Sequence, residues 1–271
     1  MCRQRSRSLS RSSIANSLIT AKPVTTAITV KGLVKKYRNA DEFALKGINL
    51  SISEGTIFGL LGPNGSGKTT TISIMCGLLQ PTQGEAYIYG KDVQRELRQV
   101  KKVIGLVPQE LALYPTLTLR ENLRYFGNMH GLRGKPLRER IAVCLQITQL
   151  ERFADRKIAT FSGGMKRRAN FIAGIIHEPP VLFLDEPTLG VDPQSRNVIF
   201  ETLNELRKVG VTMIYTTHYM EEAQQLCTRL AIIDAGTIVA DETPRKLIKN
   251  TPGCSDLGEV FLSLTGKELR D

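Results

Sequence analysis

The run Gly62-Pro63-Asn64-Gly65-Ser66-Gly67-Lys68-Thr69-Thr70 has the residue types and spacing to hold a chain of phosphates. Backbone N–H groups of such a turn, with the positive end of a following helix, converge on phosphate oxygens, while Lys68 adds a point charge and Thr69 a hydroxyl for Mg²⁺. Gly62 and Gly67 permit dihedrals and a close backbone approach that a Cβ would block. The flanks agree with this chemistry: Thr56 to Leu61 reads as a strand, and Ile72, Met75, Cys76 and Leu79 give the next helix an apolar face. An ordinary glycine-rich turn beside a lysine would need neither.

Further chemistry-bearing positions fall at strand ends and at one helix start. Val181-Leu182-Phe183-Leu184 runs apolar into Asp185-Glu186, as a strand buried on both faces does. Side chains alternate about a strand, so the two carboxylates serve different ends: Asp185 reaches Mg²⁺ or its water, and Glu186 addresses an attacking water. Gln109 follows the apolar strand Val103 to Val107; it either satisfies loop backbone groups or joins the ligand contacts that collect at strand ends in α/β sheets. His218 ends the β-branched strand Val211 to Thr217, where a neutral imidazole can donate or accept near a terminal phosphate. At Phe161-Ser162-Gly163-Gly164-Met165, Ser162 can cap a helix whose N–H groups the glycines leave facing outward, a second anion site in form. Taken alone, that stretch reads equally as a capped helix without a ligand.

These positions need a scaffold of alternating strands and helices. Ala27 to Lys36 and Phe43 to Ile52 predict an antiparallel lead-in, with Tyr37 in the loop between, where its ring either covers a core edge or stacks on a base. Pro81 to Gly84 is a turn and Glu85 to Tyr89 a short strand. From Glu110 to Thr160 only helical patterns occur, around Leu119 to Met129 and Pro136 to Leu145, which predicts a helical subdomain over about 110–170 inserted into an α/β core. Ser195 to Val209 is a helix stopped by Gly210, Tyr219 to Cys227 a short helix, and Arg229 to Asp234 with Thr237 to Ala240 a strand pair. One unit over 25–250 is expected, followed by a charged helical tail over 251–271.

Composition fits a globular protein, with 41% hydrophobic and 6% aromatic residues in 271. Most of the net charge of +11 sits at the front: residues 1 to 38 hold nine Lys/Arg and no acid, leaving 28 Lys/Arg against 26 Asp/Glu elsewhere. No basic stripe remains to suggest a nucleic-acid partner. The Arg/Ser-rich segment 1–24 is expected to be disordered; its composition suits an organellar transit peptide, a basic tail on anionic lipid, or translation from an upstream start codon. The five cysteines, Cys2, Cys76, Cys144, Cys227 and Cys254, have no metal or redox spacing, and no apolar run approaches the eighteen residues of a membrane span. A reducing, aqueous compartment is expected.

In this order the motifs resemble the ATP-binding subunit of an ABC transporter, over residues 27 to about 245. The resemblance implies a P-loop NTPase fold, a RecA-like mixed sheet with an antiparallel β lead-in and an inserted α-helical subdomain, with ATP and Mg²⁺ as ligands. It makes Gly62 to Thr70 the Walker A loop, Gln109 the Q-loop glutamine, Phe161 to Met165 the signature, Val181 to Asp185 Walker B, Glu186 the catalytic glutamate, Asp192 the D-loop aspartate and His218 the switch histidine. Tyr37 would stack on adenine, and Thr69, Asp185 and Gln109 would serve the metal. Two subunits of this family sandwich two ATP molecules head to tail, so that Ser162, Gly163 and Gly164 of one copy close on ATP held by the other. Phe161 and Met165 depart from the family's commonest Leu and Gln, leaving the Ser-Gly-Gly contacts untouched. With Lys166-Arg167-Arg168 and Leu189-Gly190-Val191-Asp192, the signature is similar to that of the drug- and polysaccharide-exporting branch, whose permeases are separate chains.

The implied activity is ATP hydrolysis at the cytoplasmic face of a membrane, driving export, with an organellar location if the front segment is a transit peptide. Phosphoryl transfer needs chiefly alignment and charge neutralisation, which Lys68, Mg²⁺, His218 and a partner's helix end supply. The main rival is a soluble ABC-type ATPase acting on ribosomes or DNA. Such proteins usually carry tandem cassettes or a long coiled-coil insertion, and this sequence has neither. A P-loop kinase or GTPase finds no Asn-Lys-x-Asp motif here.

Overall fold

The computed structural model describes residues 25–38 and 40–266, so the readings of the Arg/Ser-rich front segment fall outside the described residues. The chain enters through β1 (Thr26–Lys36) and β2 (Phe43–Ser53), an antiparallel pair in which apolar residues alternate inward. Strand β3 (Ile57–Leu61) and helix α1 (Lys68–Met75) follow, flanking the glycine-rich turn. Then β4 (Gln83–Ile88) pairs with the other edge of β1 and β5 (Lys91–Asp92) with β4, giving a four-stranded antiparallel sheet ordered β2-β1-β4-β5.

Helix α2 (Leu97–Val103) leads into β6 (Ile104–Val107), so Val103, read as the start of a strand, closes a helix instead. The helical region holds α3 (Leu119–Met129), α4 (Gly134–Ile147), two single 3₁₀ turns at Glu151–Phe153 and Ile158–Thr160, and α5 (Gly163–Ile175). Thr118 starts α3 with a capping box: its side chain takes the Glu121 N–H while the Glu121 carboxylate takes the Thr118 N–H. An isolated bridge between Thr118 and Lys157 is the one departure from purely helical pairing described there.

The rest of the chain is β7 (Val181–Asp185), α6 (Pro193–Lys208), β8 (Thr212–Thr217), α7 (Met220–Leu226), β9 (Arg229–Asp234), β10 (Thr237–Glu242), α8 (Pro244–Asn250) and α9 (Leu257–Thr265). The second sheet runs β10-β9-β3-β8-β7-β6, parallel except for β10. It is covered on both faces, which is why 181–184 reads without a polar residue. Phe58, Leu60, Phe183 and Ile214 point to a core shared with α1 and the antiparallel sheet; Ile57, Leu61, Leu182 and Leu184 point to one shared with α5, α6, α7 and α9.

Two expectations change here. Helix α1 is wedged between the sheets, so Ile74 is buried along with Ile72, Met75 and Cys76, and no single apolar face exists. The stretch after 250, expected as a charged helical tail, is helical in α9, but its Leu257, Val260 and Phe261 are fully buried in the same core as β8 and α7. Among the described residues no helix is long and apolar enough to cross a membrane.

Candidate active site

Every chemistry-bearing strand end named above lies at one edge of the parallel sheet, because parallel strands present all their carboxyl ends together. Beyond β3 the chain turns through Gly67 at φ +111°, where an added Cβ would meet the Ala44 carbonyl at 2.8 Å; only glycine fits. Lys68 then begins α1, its amine donating to the carbonyls of Gly62 (2.8 Å) and Pro63 (3.1 Å). Burial holds its pKa below the usual lysine range, against the raising effect of the Glu186 and Asp185 carboxylates. Thr69 is exposed, as are Asn64 and Gly65 at the tip of the turn. The Ser66 hydroxyl is buried without a partner, an orphan inside the glycine-rich turn.

Across from the loop, Thr216 on β8 holds the Asp185 carboxylate and the Glu186 backbone. Its hydroxyl donates to Asp185 Oδ1 at 2.7 Å and accepts the Glu186 N–H at 3.0 Å. Glu186 has φ +46°, a left-handed conformation that L side chains rarely adopt. That twist turns its carboxylate toward the loop, 3.7 Å from Lys68 Nζ and 3.4 Å from His218 Nδ1. The His218 contact lacks hydrogen-bond geometry, so Nδ1 remains a second buried orphan. Gln109 donates through Nε2 to Glu186 Oε2 at 3.4 Å.

Two side chains that sequence reasoning passed over hold the Gln109 segment. Arg167 on α5 donates to the Gln109 carbonyl, and Asn170, one turn on, donates to the Pro108 carbonyl (3.1 Å) and accepts the Ala112 N–H (3.0 Å). The basic run 166–168 had been noted only as part of a signature. A buried asparagine on the otherwise apolar inner face of α5 was the available signal.

Ser162, Gly163, Gly164 and Asp192 form a separate cluster. Ser162 accepts the Met165 N–H at 3.3 Å, Gly163 faces open space, and Gly164 lies against the Asp192 carboxylate and the Ser195 side chain. Asp192 caps α6 through Ser195 N at 2.9 Å, and these bonds hold its carboxyl below the usual range. Among the described residues no hydrogen bond or ion pair ties this cluster to the glycine-rich turn. Tyr37 is 44% exposed, its hydroxyl 3.2 Å from Thr70 Oγ1 at the first turn of α1, which places the ring beside the loop.

A buried ammonium, an orphaned hydroxyl and a carboxylate beside an imidazole suit a polyphosphate and a water to attack it. Hydroxyl, carboxylate and amide oxygens from Thr69, Asp185 and Gln109 are hard donors of the kind that Mg²⁺ takes.

The family model described as "ABC transporter" matches residues 45–189. The linearmycin resistance ATP-binding protein of Bacillus subtilis is 48% identical over 222 residues, 82% of this chain and 70% of that protein. A Nod factor export ATP-binding protein of Burkholderia orbicola is 40% identical over 234 residues, 86% of this chain and 76% of the other. Among solved structures, a dimeric ATP-binding cassette in a post-hydrolysis state with ADP and Pi superposes with a TM-score of 0.74 at 31% identity, covering 80% of this chain and 98% of that one. Its mixed α/β fold, its order of motifs and these matches agree: the chain belongs to the ABC transporter family, as its ATP-binding and ATP-hydrolysing subunit.

Proposed function

We propose that this subunit powers export through a separately encoded permease, and that Lys68, Thr69, Asp185, Glu186, Gln109 and His218 carry out the hydrolysis. The observation that carries the reading is Glu186, turned by its left-handed backbone to face Lys68, His218 and Gln109 at once. The Gly62 to Thr70 loop binds the ATP phosphates, Tyr37 stacks on adenine, and Glu186 polarises the attacking water. His218 and Gln109 sense the γ-phosphate. Mg²⁺, held by Thr69, Asp185 and Gln109, neutralises charge on the phosphate oxygens. The free N-terminus of α5, with Ser162, Gly163 and Gly164, and Asp192 before α6, complete the site of a second copy arranged head to tail. Homologues named for linearmycin resistance and for Nod factor export support the exporting direction.

The permease side is an apolar groove of about 470 Å³ between β6, α3 and α5, lined by Leu106, Phe126, Met129 and His177 and edged by exposed Leu78. It adjoins Pro108 and Ala112, on either side of Gln109, so its occupant is positioned to feel the nucleotide. A subunit docked by this groove works at the cytoplasmic face of a membrane. A photoactivatable residue at 78 or 129, in native membranes, should capture a hydrophobic integral membrane polypeptide. Capture of a ribosomal protein instead would favour the soluble rival and overturn the proposal.

A further inference from the structure

A third buried carboxylate lies behind the site. Glu222, on the first turn of α7, is 3% exposed, and its Oε2 accepts from three hydroxyls: Tyr215 at 2.7 Å, Thr188 at 2.8 Å and Thr217 at 3.2 Å. Each hydroxyl has a distinct address. Thr188 sits two residues past Glu186, in the turn closed by the Leu189 N–H on the Glu186 carbonyl (3.2 Å). Thr217 immediately precedes His218, and its oxygen also accepts the Tyr219 N–H at 2.9 Å, fixing the backbone on the far side of the histidine. Tyr215 anchors the arrangement to the centre of the sheet through β8. The other carboxylate oxygen, Oε1, has no hydrogen bond and lies 3.9 Å from Arg196 Nη1 on the first turn of α6, the helix that Asp192 caps.

One carboxylate thus joins the turn after Glu186, the segment bearing His218 and the start of α6. A cavity of about 650 Å³ opens beside it, lined by Arg196, His218 and Glu222 among others, so the His218 loop has room to shift and depends on this tie for its place. A buried carboxylate holding three hydroxyl donors is costly to leave half satisfied, which makes such a network sensitive to loss of any member. We infer that Glu222 is a positioning residue for hydrolysis: it sets His218 relative to Glu186 and couples both to the α6 end that bears Asp192. It acts through those residues. The inference rests on the roles of Glu186 and His218 proposed above.

The test is a double-mutant cycle in the full chain, read as single-turnover ATP hydrolysis, with the KM for ATP, nucleotide affinity and thermal unfolding measured alongside. Glu222→Gln should lower the rate about tenfold or more with KM changed less than about twofold. On a His218→Ala background the same change should cost almost nothing further, because the histidine it positions is gone. Thr217→Val should reproduce the loss in milder form and Thr217→Ser restore it, which keeps the question open to test should Glu222→Gln fold poorly. An unaltered rate in folded Glu222→Gln, or a full further loss on the His218→Ala background, overturns the inference. Undiminished hydrolysis by Glu186→Gln and His218→Ala themselves would instead overturn the site assignment.

Discussion

Lys68 Nζ and Glu186 Oε1 lie 3.7 Å apart with side-chain exposures of 5% and 7%, so the loop's cation is held against the carboxylate. Phosphates entering the loop compete with Glu186 for that ammonium. In Glu186→Gln the competition is gone: ATP should bind as well as in the parent or better, while hydrolysis falls by about a hundredfold or more. Phosphate release and binding of a fluorescent ATP analogue read the two effects separately. Turnover equal to the parent's would remove Glu186 from the mechanism. Lys68→Ala behaves differently, because it strands a buried carboxylate as well as losing the phosphate contact, and should cost about 3–5 kcal/mol of stability besides activity.

Composite sites make hydrolysis depend on protein concentration, and the α5 terminus separates that effect from folding. Ser162→Ala removes a cap worth about 1 kcal/mol. Gly164→Ala sets a Cβ against the Asp192 carboxylate and the Ser195 hydroxyl, disturbing both elements of the proposed partner-facing surface. The double variant should bind ATP normally yet hydrolyse it at least about tenfold more slowly, and should lose the steeper-than-linear rise of rate with concentration expected of the parent. A parent whose specific activity is flat with concentration would exclude the shared site.

What was legible in the sequence was whatever burial writes into it. Asp185 and Glu186 were found because β7 is covered on both faces and its apolar run points at them. Helix α2 was missed because its seven residues bury only Val100, leaving no period to read. Thr216, Thr217 and Glu222 were passed over for another reason: threonines in a β-branched strand look like ordinary strand formers, and one glutamate among charged neighbours looks solvated. Their roles come from contacts between β8, the turn after β7 and α7, and such contacts leave no mark on local pattern. The buried face of α9 did leave one, in the spacing of Leu257, Val260 and Phe261, which the surrounding charges masked.

Tyr37 offers a test of the adenine platform that distinguishes ring from hydroxyl. The hydroxyl contact with Thr70, 3.2 Å long and exposed, is worth at most about 1 kcal/mol, so Tyr37→Phe should leave the KM for ATP within a few-fold of the parent. Tyr37→Ala removes the stacking face and should raise KM about tenfold, in line with about 1–3 kcal/mol per stacked base, with little change in kcat. Equal KM values for ATP in Tyr37→Ala and the parent would leave the ring with only the core-edge role.

Acid should weaken the fold through a histidine outside the nucleotide site. His177 follows α5, donates through Nε2 to the Ile104 carbonyl at 2.9 Å, and stacks on His130 with ring centroids 3.5 Å apart. Burial, reinforced by His130 and Arg140, pushes its pKa down to about 4, and burial also lowers that of His130. An imidazole in the unfolded chain titrates near 6.5. Between about pH 6.5 and 4 the unfolded chain therefore binds a proton that folded His177 refuses, and stability declines as pH falls through that window. Below about 4 both forms are protonated and this contribution to the decline ends. Because the pair is half-buried, solvent screening reduces the loss to about 1–2 kcal/mol. Thermal unfolding followed from pH 7 to 4 should thus fall more steeply in the parent than in His177→Gln, which keeps a donor for Ile104 but does not titrate. Parallel curves for the two proteins would show that the stacked pair takes up its proton without cost.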